Sequence, residues 1–348
     1  MKRNKGVDFL TAALLLGALL TATIYVVLGV ALRPRVAQSS SEEEAGVNRW
    51  FYEEERLRSF GDYLDYRLFR HVDDPTIIVG EKDWLFETKN EESGYDYLLD
   101  YVGGCAYTEE QMARIADTLE ERRALCREAG GDYLLAVIPN SMTVCDEYLP
   151  SYLGDASENT RLRVLTEFLE ARGISCCLDL SESMEAVSAE GAPYNNTEDS
   201  INAYGAYAVY DGILSALGQS EGLLEWESIE FSTRMTEGKS LARRNGLERT
   251  IRNRTVSLTD AMTDGYRTEE VTEHCVCTTM TEQGVARTVV LELAVDWDRI
   301  QLMPFFSGTF QTVVYENRLT PDAAPLAYHR GDVLIQVIHE SQLDLLLE

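Results

Sequence analysis

Phe9 to Leu32 is a run of 24 residues without a charged side chain, rich in Leu, Ala and Val. At about 1.5 Å of rise per residue, a helix of that length crosses a hydrocarbon core about 30 Å thick. A cleaved leader carries a shorter apolar stretch, about 7–15 residues, followed by small residues at the cut. Arg35 stands where a cut after Ala37 needs a small residue. The run therefore predicts an uncleaved transmembrane signal anchor at 9–32, with 1–8 as a cytoplasmic N-terminus. Lys2, Arg3 and Lys5 precede it, and Arg33 and Arg35 follow. This slight basic excess favours a single-pass protein of the cell membrane with its domain outside. A cytoplasmic domain on a reversed anchor is the alternative.

Residues 33–48, with Ser39-Ser40-Ser41 and Glu42-Glu43-Glu44, read as a polar tether to a domain over 49–348. A hydrophobic content of 45% with 26% charged residues is ordinary for a chain with a real core. A net charge of −28 is not ordinary: it repels nucleic acid and anionic headgroups, and disfavours a strongly anionic polymer as a tight ligand. The seven cysteines lack the paired spacing of a zinc site. They read as small buried hydrophobes rather than a disulfide framework, and neither a metal nor a cofactor is expected.

Residues 49–70 carry Trp50, Phe51, Leu57, Phe60 and Leu64 at helical spacing. Thr76–Gly80 and Trp84–Phe86 read as short strands. Thr108 and Gln111 have the form of a capping box before a helix with Met112, Ile115, Leu119 and Cys126 on one side. Buried strands are expected at 133–138, 174–180, 288–295, 312–315 and 333–338, and helices at 157–172 and 202–217. Strands apolar on both faces alternating with helices indicate an α/β fold with a largely parallel sheet covered on both sides. The polar stretch 226–285 reads as an irregular excursion of hairpins or loops.

Four blocks, in order, resemble the SGNH-hydrolase-like family of alginate O-acetylation proteins and the related DHHW proteins. They are Val79-Gly80-Glu81-Lys82-Asp83-Trp84-Leu85-Phe86; Val137-Ile138-Pro139-Asn140 with Asp146-Glu147-Tyr148-Leu149-Pro150; Asn202-Ala203-Tyr204-Gly205-Ala206-Tyr207; and Asp296 to Phe306, with Glu340 and Leu343 beyond. The resemblance covers roughly 55–345 and implies an SGNH-hydrolase-like (flavodoxin-like) fold behind the transmembrane helix.

Acyl transfer of this type needs a serine nucleophile, an imidazole to take its proton and a carboxylate to orient the imidazole. Counting back from Gly205 and Pro304, the resemblance puts Glu198 at the aspartate position, Ser200 at the histidine position and Trp297 at the serine position. No catalytic residue is then expected, and the cleft is expected at Asp296, Trp297, Glu198, Ser200 and Asn140. Of His71, His274, His329 and His339, only His339 follows a core strand. A relocated pair of His339 with Ser307 is one alternative. A carboxylate cluster of Asp296, Asp298, Glu198 and Asp199 that binds a cation is another. Trp84 is expected in the core, and Trp297 is a candidate to stack on a sugar ring.

The reading is a degenerate, non-catalytic relative: a binding or scaffold protein in cell-envelope polysaccharide modification. Its expected partners are the polysaccharide or an O-acetylation membrane complex, not nucleic acid. The competing reading is an active O-acetyltransferase or acetylesterase with relocated catalytic residues.

Overall fold

The computed structural model describes residues 17, 62–90, 93–219, 222–259, 265–282, 284–318 and 331–347. The chain divides into two units, Met1–Arg58 and Ser59–Glu348, and everything below concerns the second. The anchor at 9–32, the tether, Trp50, Phe51, Leu57, Phe60 and His329 lie outside the described residues. Among the described residues no helix is long and apolar enough to cross a membrane.

Residues 62–69 are helical and bury Tyr66. Two short strands follow, β1 (Ile77–Val79) and β2 (Leu85–Glu87), paired antiparallel with Val79 opposite Leu85. Lys82 and Asp83 turn the chain between them at φ of 50° and 64°. Asp83 is held there by the Tyr66 hydroxyl and by Arg70 at 2.9 Å. Trp84 is buried and stacks on Tyr148 with ring centroids 4.5 Å apart.

The central sheet is built from β3 (Asp132–Ile138), β4 (Cys177–Asp179), β7 (Tyr266–Thr272), β8 (Cys275–Met280), β9 (Val285–Leu293), β10 (Phe310–Glu316) and β11 (Val333–His339). Its order is β4-β3-β11-β9-β10-β8-β7. The first five strands are parallel, and the β7–β8 hairpin adds two antiparallel strands at one edge. Alternation along each strand assigns the two faces. Leu134, Ala136 and Ile138 of β3 join one core with the 181–188, 203–216 and 296–307 helices. Tyr133, Leu135 and Val137 join the other with the 109–128 and 161–171 helices. The β3-to-β4 and β9-to-β10 crossovers run in opposite directions along the sheet, and their helices lie on opposite faces, as crossovers of one hand must. Such a reversal opens a crevice at the carboxyl ends of the strands.

Several boundaries differ from expectation. The Thr108 capping box is present and the helix runs Glu109–Glu128. The second helix begins only at Arg161, because 151–160 is taken by a short 3-10 turn and loop. The 174–180 strand shrinks to Cys177–Asp179, as an edge strand meets the sheet on one side only. The Ser181–Ser188 helix, which buries Met184 and Val187, is additional to the expected elements. The 226–285 stretch is no simple excursion. Strands β5 (Phe231–Glu237) and β6 (Arg252–Leu258) form a separate antiparallel pair, but β7 and β8 belong to the main sheet. Cys275, Val276 and Thr278 are buried against β10, which is what recruits them. All seven cysteines are free thiols, and Cys126, Cys145, Cys176 and Cys275 are buried.

Candidate functional site

Residues 192–202 form a tight loop at the carboxyl ends of the parallel strands. Tyr194 bridges Ile201, Asn195 N donates to Ser200 O at 3.0 Å and Asn202 N to Pro193 O at 2.9 Å. The Asn202 amide donates to the carbonyls of Ala192 and Tyr194, while its oxygen accepts from Tyr204 N at 2.8 Å and caps the 203–216 helix. Accessory strands hold the loop from outside. Leu85 N donates to Asn196 O, Arg254 N donates to the Asn196 side chain, and the Thr197 hydroxyl bonds buried Asn253 at 2.9 Å. Glu198, Asp199 and Ser200 are thereby fixed at the loop's tip.

The 296–307 helix faces this loop. The Trp297 indole N–H donates to Ile201 O at 3.3 Å, and the side chain stays partly exposed. Lys239, just after β5, sits 5.0 Å from the Trp297 ring centroid and 3.7 Å from Glu198 Oε2. Ser200 Oγ donates to Glu198 Oε2 at 3.1 Å and accepts from the Asn195 amide at 2.9 Å. The structure thus brings Trp297, Glu198 and Ser200 together. Asp296 points aside to a two-pronged bond with Arg299.

Asn140 belongs to a neighbouring network beneath the mouth. Its N–H donates to Glu340 Oε2 at 3.0 Å, and its amide reaches the Tyr95 hydroxyl at 3.0 Å and Asp100 at 3.4 Å. Glu340 and Asp100 are each 1% exposed. Burial pushes the Glu340 carboxyl well above its usual pKa, and the Asp100 charge beside it adds to the rise.

His339 ends β11 and bonds Asp298 Oδ2 through Nε2 at 2.8 Å. Burial opposes charge on this imidazole, but Asp298, with Asp199 beyond it, outweighs burial and raises its pKa above the ordinary histidine value. The relocated His339–Ser307 pair is not formed. Ser307 is buried at the other end of its helix, bonded to the hydroxyls of Thr278 and Tyr315 at 2.7 Å each. Nine residues of helix separate it from Asp298, about 13 Å. His71 and His274 are exposed. The proposed carboxylate cluster is divided among Arg299, Lys239 and His339, and among the described residues no group of three or more His, Cys, Asp or Glu is placed to hold a metal.

The functional neighbour missed in the sequence is Lys239, hidden in the stretch read as an excursion. His339 was legible as a polar residue closing an apolar strand, but its partner was not.

The family profile described as the SGNH hydrolase-like domain of the acetyltransferase AlgX matches residues 77–274. The chain belongs to this family. Within the AlgX-type family its match includes the Glu198–Ser200 loop and ends before Trp297, Asp298 and His339. No curated protein matches the chain. Among solved structures it is similar to PatB1 of Bacillus cereus with a sulfonyl adduct, at 12% identity over 77% of this chain and 95% of that one, with a TM-score of 0.52. A DHHW family protein of Eubacterium siraeum gives the same identity, coverage and score. The O-acetyltransferase domain of Pseudomonas putida AlgJ is 17% identical over 77% of this chain and 92% of that one, with a TM-score of 0.48. At 12% identity the likeness to PatB1 and to the DHHW family protein is one of fold.

Proposed function

We propose that the chain is a membrane-anchored, extracytoplasmic member of the AlgX-type family that has lost acyl transfer and serves cell-envelope polysaccharide modification as a binding or scaffold protein. One observation carries the loss of catalysis. Where the 296–307 helix meets the 192–202 loop, the facing groups are an indole bonded to Ile201 O and a serine bonded to Glu198 and Asn195. An indole has no nucleophilic lone pair for acyl attack, and a serine hydroxyl does not take up a proton near neutral pH. The imidazole beside them, His339, is committed to a carboxylate rather than to a hydroxyl. Membership of a family described by an acetyltransferase supports the polysaccharide setting. The anchor rests on the Phe9–Leu32 run.

The test is acyl turnover. Loss of either member of a Ser–His pair typically removes about 10⁶-fold of rate in a hydrolase. The purified protein is expected to hydrolyse 4-nitrophenyl acetate no faster than buffer. It is also expected to gain no mass with a sulfonyl fluoride, the type of reagent suggested by the PatB1 adduct. Turnover well above buffer, or a stoichiometric adduct mapped to one serine, would sink the non-catalytic reading. An adduct on Ser307 would revive the relocated enzyme.

A further inference from the structure

The β5–β6 ribbon reverses the charge of the chain. Residues 231–258 carry seven basic side chains against two acidic ones, Glu237 and Glu248, in a protein of net charge −28. Lys239 is paired with Glu198, and Arg244 with Glu87 and Asp74. Arg234, Arg243, Arg249 and Arg254 are exposed, and their side chains make no hydrogen bond or ion pair among the described residues. The ribbon also has an open edge, a second and independent observation. Among the described residues β5 pairs with β6 alone. Thr259 N donates to Glu230 O across the ribbon, whereas Arg254 N donates outward to the Asn196 side chain. Bonded and non-bonded pairs alternate along an antiparallel ladder, and Arg254 lies opposite Met235, so the odd-numbered residues of β5 are the non-bonded ones. Thr233, Met235 and Glu237 therefore turn their N–H and C=O groups away from β6. Arg252 Nη2 donates to Met235 O at 3.2 Å and Thr236 Oγ1 to Glu237 O at 3.3 Å, but the three N–H groups have no partner among the described residues. The outer side of β6 is closed by Asn196, on Arg252 O at 3.0 Å and Arg254 N at 2.8 Å. Phe231 fixes the start of β5 against Tyr204 and Trp226, with ring centroids 4.8 and 4.6 Å away.

We propose that the edge of β5 takes up an extended, acidic segment of a partner protein as a third strand. The inference rests on the scaffold part of the reading above and names a partner class; the loss of acyl transfer does not enter it. The added strand supplies carbonyls to the open N–H groups, at a spacing that any extended chain matches. Its side chains give the choice of partner. Arg254 shares a face of the ribbon with Met235, and Arg234 lies on the other face, so an incoming strand meets a guanidinium on either side. Arg252, lying across β5 onto Met235 O, shows that an arginine of β6 reaches this edge. Carboxylates on the incoming strand pair with these groups through charge-assisted bonds. A second copy of β5 brings the same arginines with it, and like charges along an edge oppose that pairing. Met235, 58% exposed, adds an apolar side chain for the new strand to cover.

The experiment titrates a fluorescein-labelled seven-residue peptide, alternating Glu with Val and Thr, against the full-length protein in detergent and reads anisotropy. Two companions are the same peptide with Lys for Glu, and the acidic peptide N-methylated at every residue. Saturable binding of the acidic peptide is expected, with both companions at least tenfold weaker. Raising salt from 50 to 300 mM should weaken it severalfold, and hydrogen exchange at 233–237 should slow in the complex. Met235→Pro deletes an open N–H that the ribbon's own ladder does not use, and should weaken binding at least tenfold. If melting shows that this variant does not fold, the double variant Arg234→Glu, Arg254→Glu decides, since neither side chain holds a partner among the described residues. It should weaken the acidic peptide at least tenfold and admit the lysine peptide. Equal binding of the N-methylated peptide overturns strand addition in favour of plain charge attraction. Binding unchanged in the folded variants, or no binding to the wild type, removes this edge as a docking site. Dimerisation through β5 that excludes the peptide gives the edge to a second copy and overturns the acidic partner. Failure at this edge leaves binding elsewhere on the domain, and the acyl-turnover test, untouched.

Discussion

Glu340 and Asp100 meet where four segments converge. Asn140 N and Leu162 N donate to Glu340 at 3.0 and 3.2 Å, while the Tyr95 hydroxyl and Arg161 N donate to Asp100 at 2.6 and 2.8 Å. Two adjacent buried carboxyls cannot both ionise cheaply, so one proton is retained, and the raised pKa falls to Glu340. The sign of the consequence is fixed. A folded-state pKa above the unfolded value of about 4.3 gives a contribution fully present below that value and lost as pH rises through the raised one. Stability should therefore fall above about pH 4.3, by at most about 1.4 kcal/mol per pH unit from this group. Glu340→Gln keeps the shape and cannot titrate. Thermal melts of wild type and variant from pH 5 to 8 should converge or cross as pH rises. A constant difference across that range would show that Glu340 is ionised in the fold.

The 203–216 helix shows how an element positions the mouth. Gly205 lies in its first turn, where an added Cβ would strike the Pro193 carbonyl and come within 3.0 Å of Ile201 Cβ. Pro193 O is the acceptor that closes the loop through Asn202 N. Gly205→Ala gains up to about 1 kcal/mol in helix propensity but forces backbone apart, at about 1–3 kcal/mol for overpacking. The steric effect wins, because the obstacle is main chain that cannot rotate away. A net loss of about 1–2 kcal/mol is expected, read as a fall of about 2–4 °C in Tm per kcal/mol. An unchanged or raised Tm would mean that the loop yields easily. The G-A-Y block was visible in the sequence, but the carbonyl that excludes a side chain from Gly205 was not.

At the scale of the molecule, the seven-stranded sheet is closed at one edge by the β7–β8 hairpin, with β7 outermost. Arg267, Glu269 and Glu270 on β7 are exposed, and charges on an edge strand discourage pairing with another chain. Orientation across a membrane belongs to the same scale and rests on the proposed anchor. Protease added to intact spheroplasts should degrade residues 49–348 and spare the short N-terminal segment. Resistance until lysis would reverse the orientation and remove the polysaccharide from reach.

The five parallel strands, the sheet covered on both sides and the family were legible in the sequence. Runs such as Tyr133–Ile138 and Val333–Ile338 are apolar on both faces, and only a sheet buried on both sides satisfies them. The Thr108 cap and the Gly205 block were legible for a similar reason, since each is set by residues a few positions apart. The tertiary structure alone decided the rest. Recruitment of β7 and β8 depended on β10, which follows them in the chain. The pairing of His339 with Asp298 joins residues 41 positions apart, and Lys239 reaches Trp297 from a different accessory element. No local pattern encodes these meetings. They arise where parallel strands end together, and the charges that meet there are chosen by the fold.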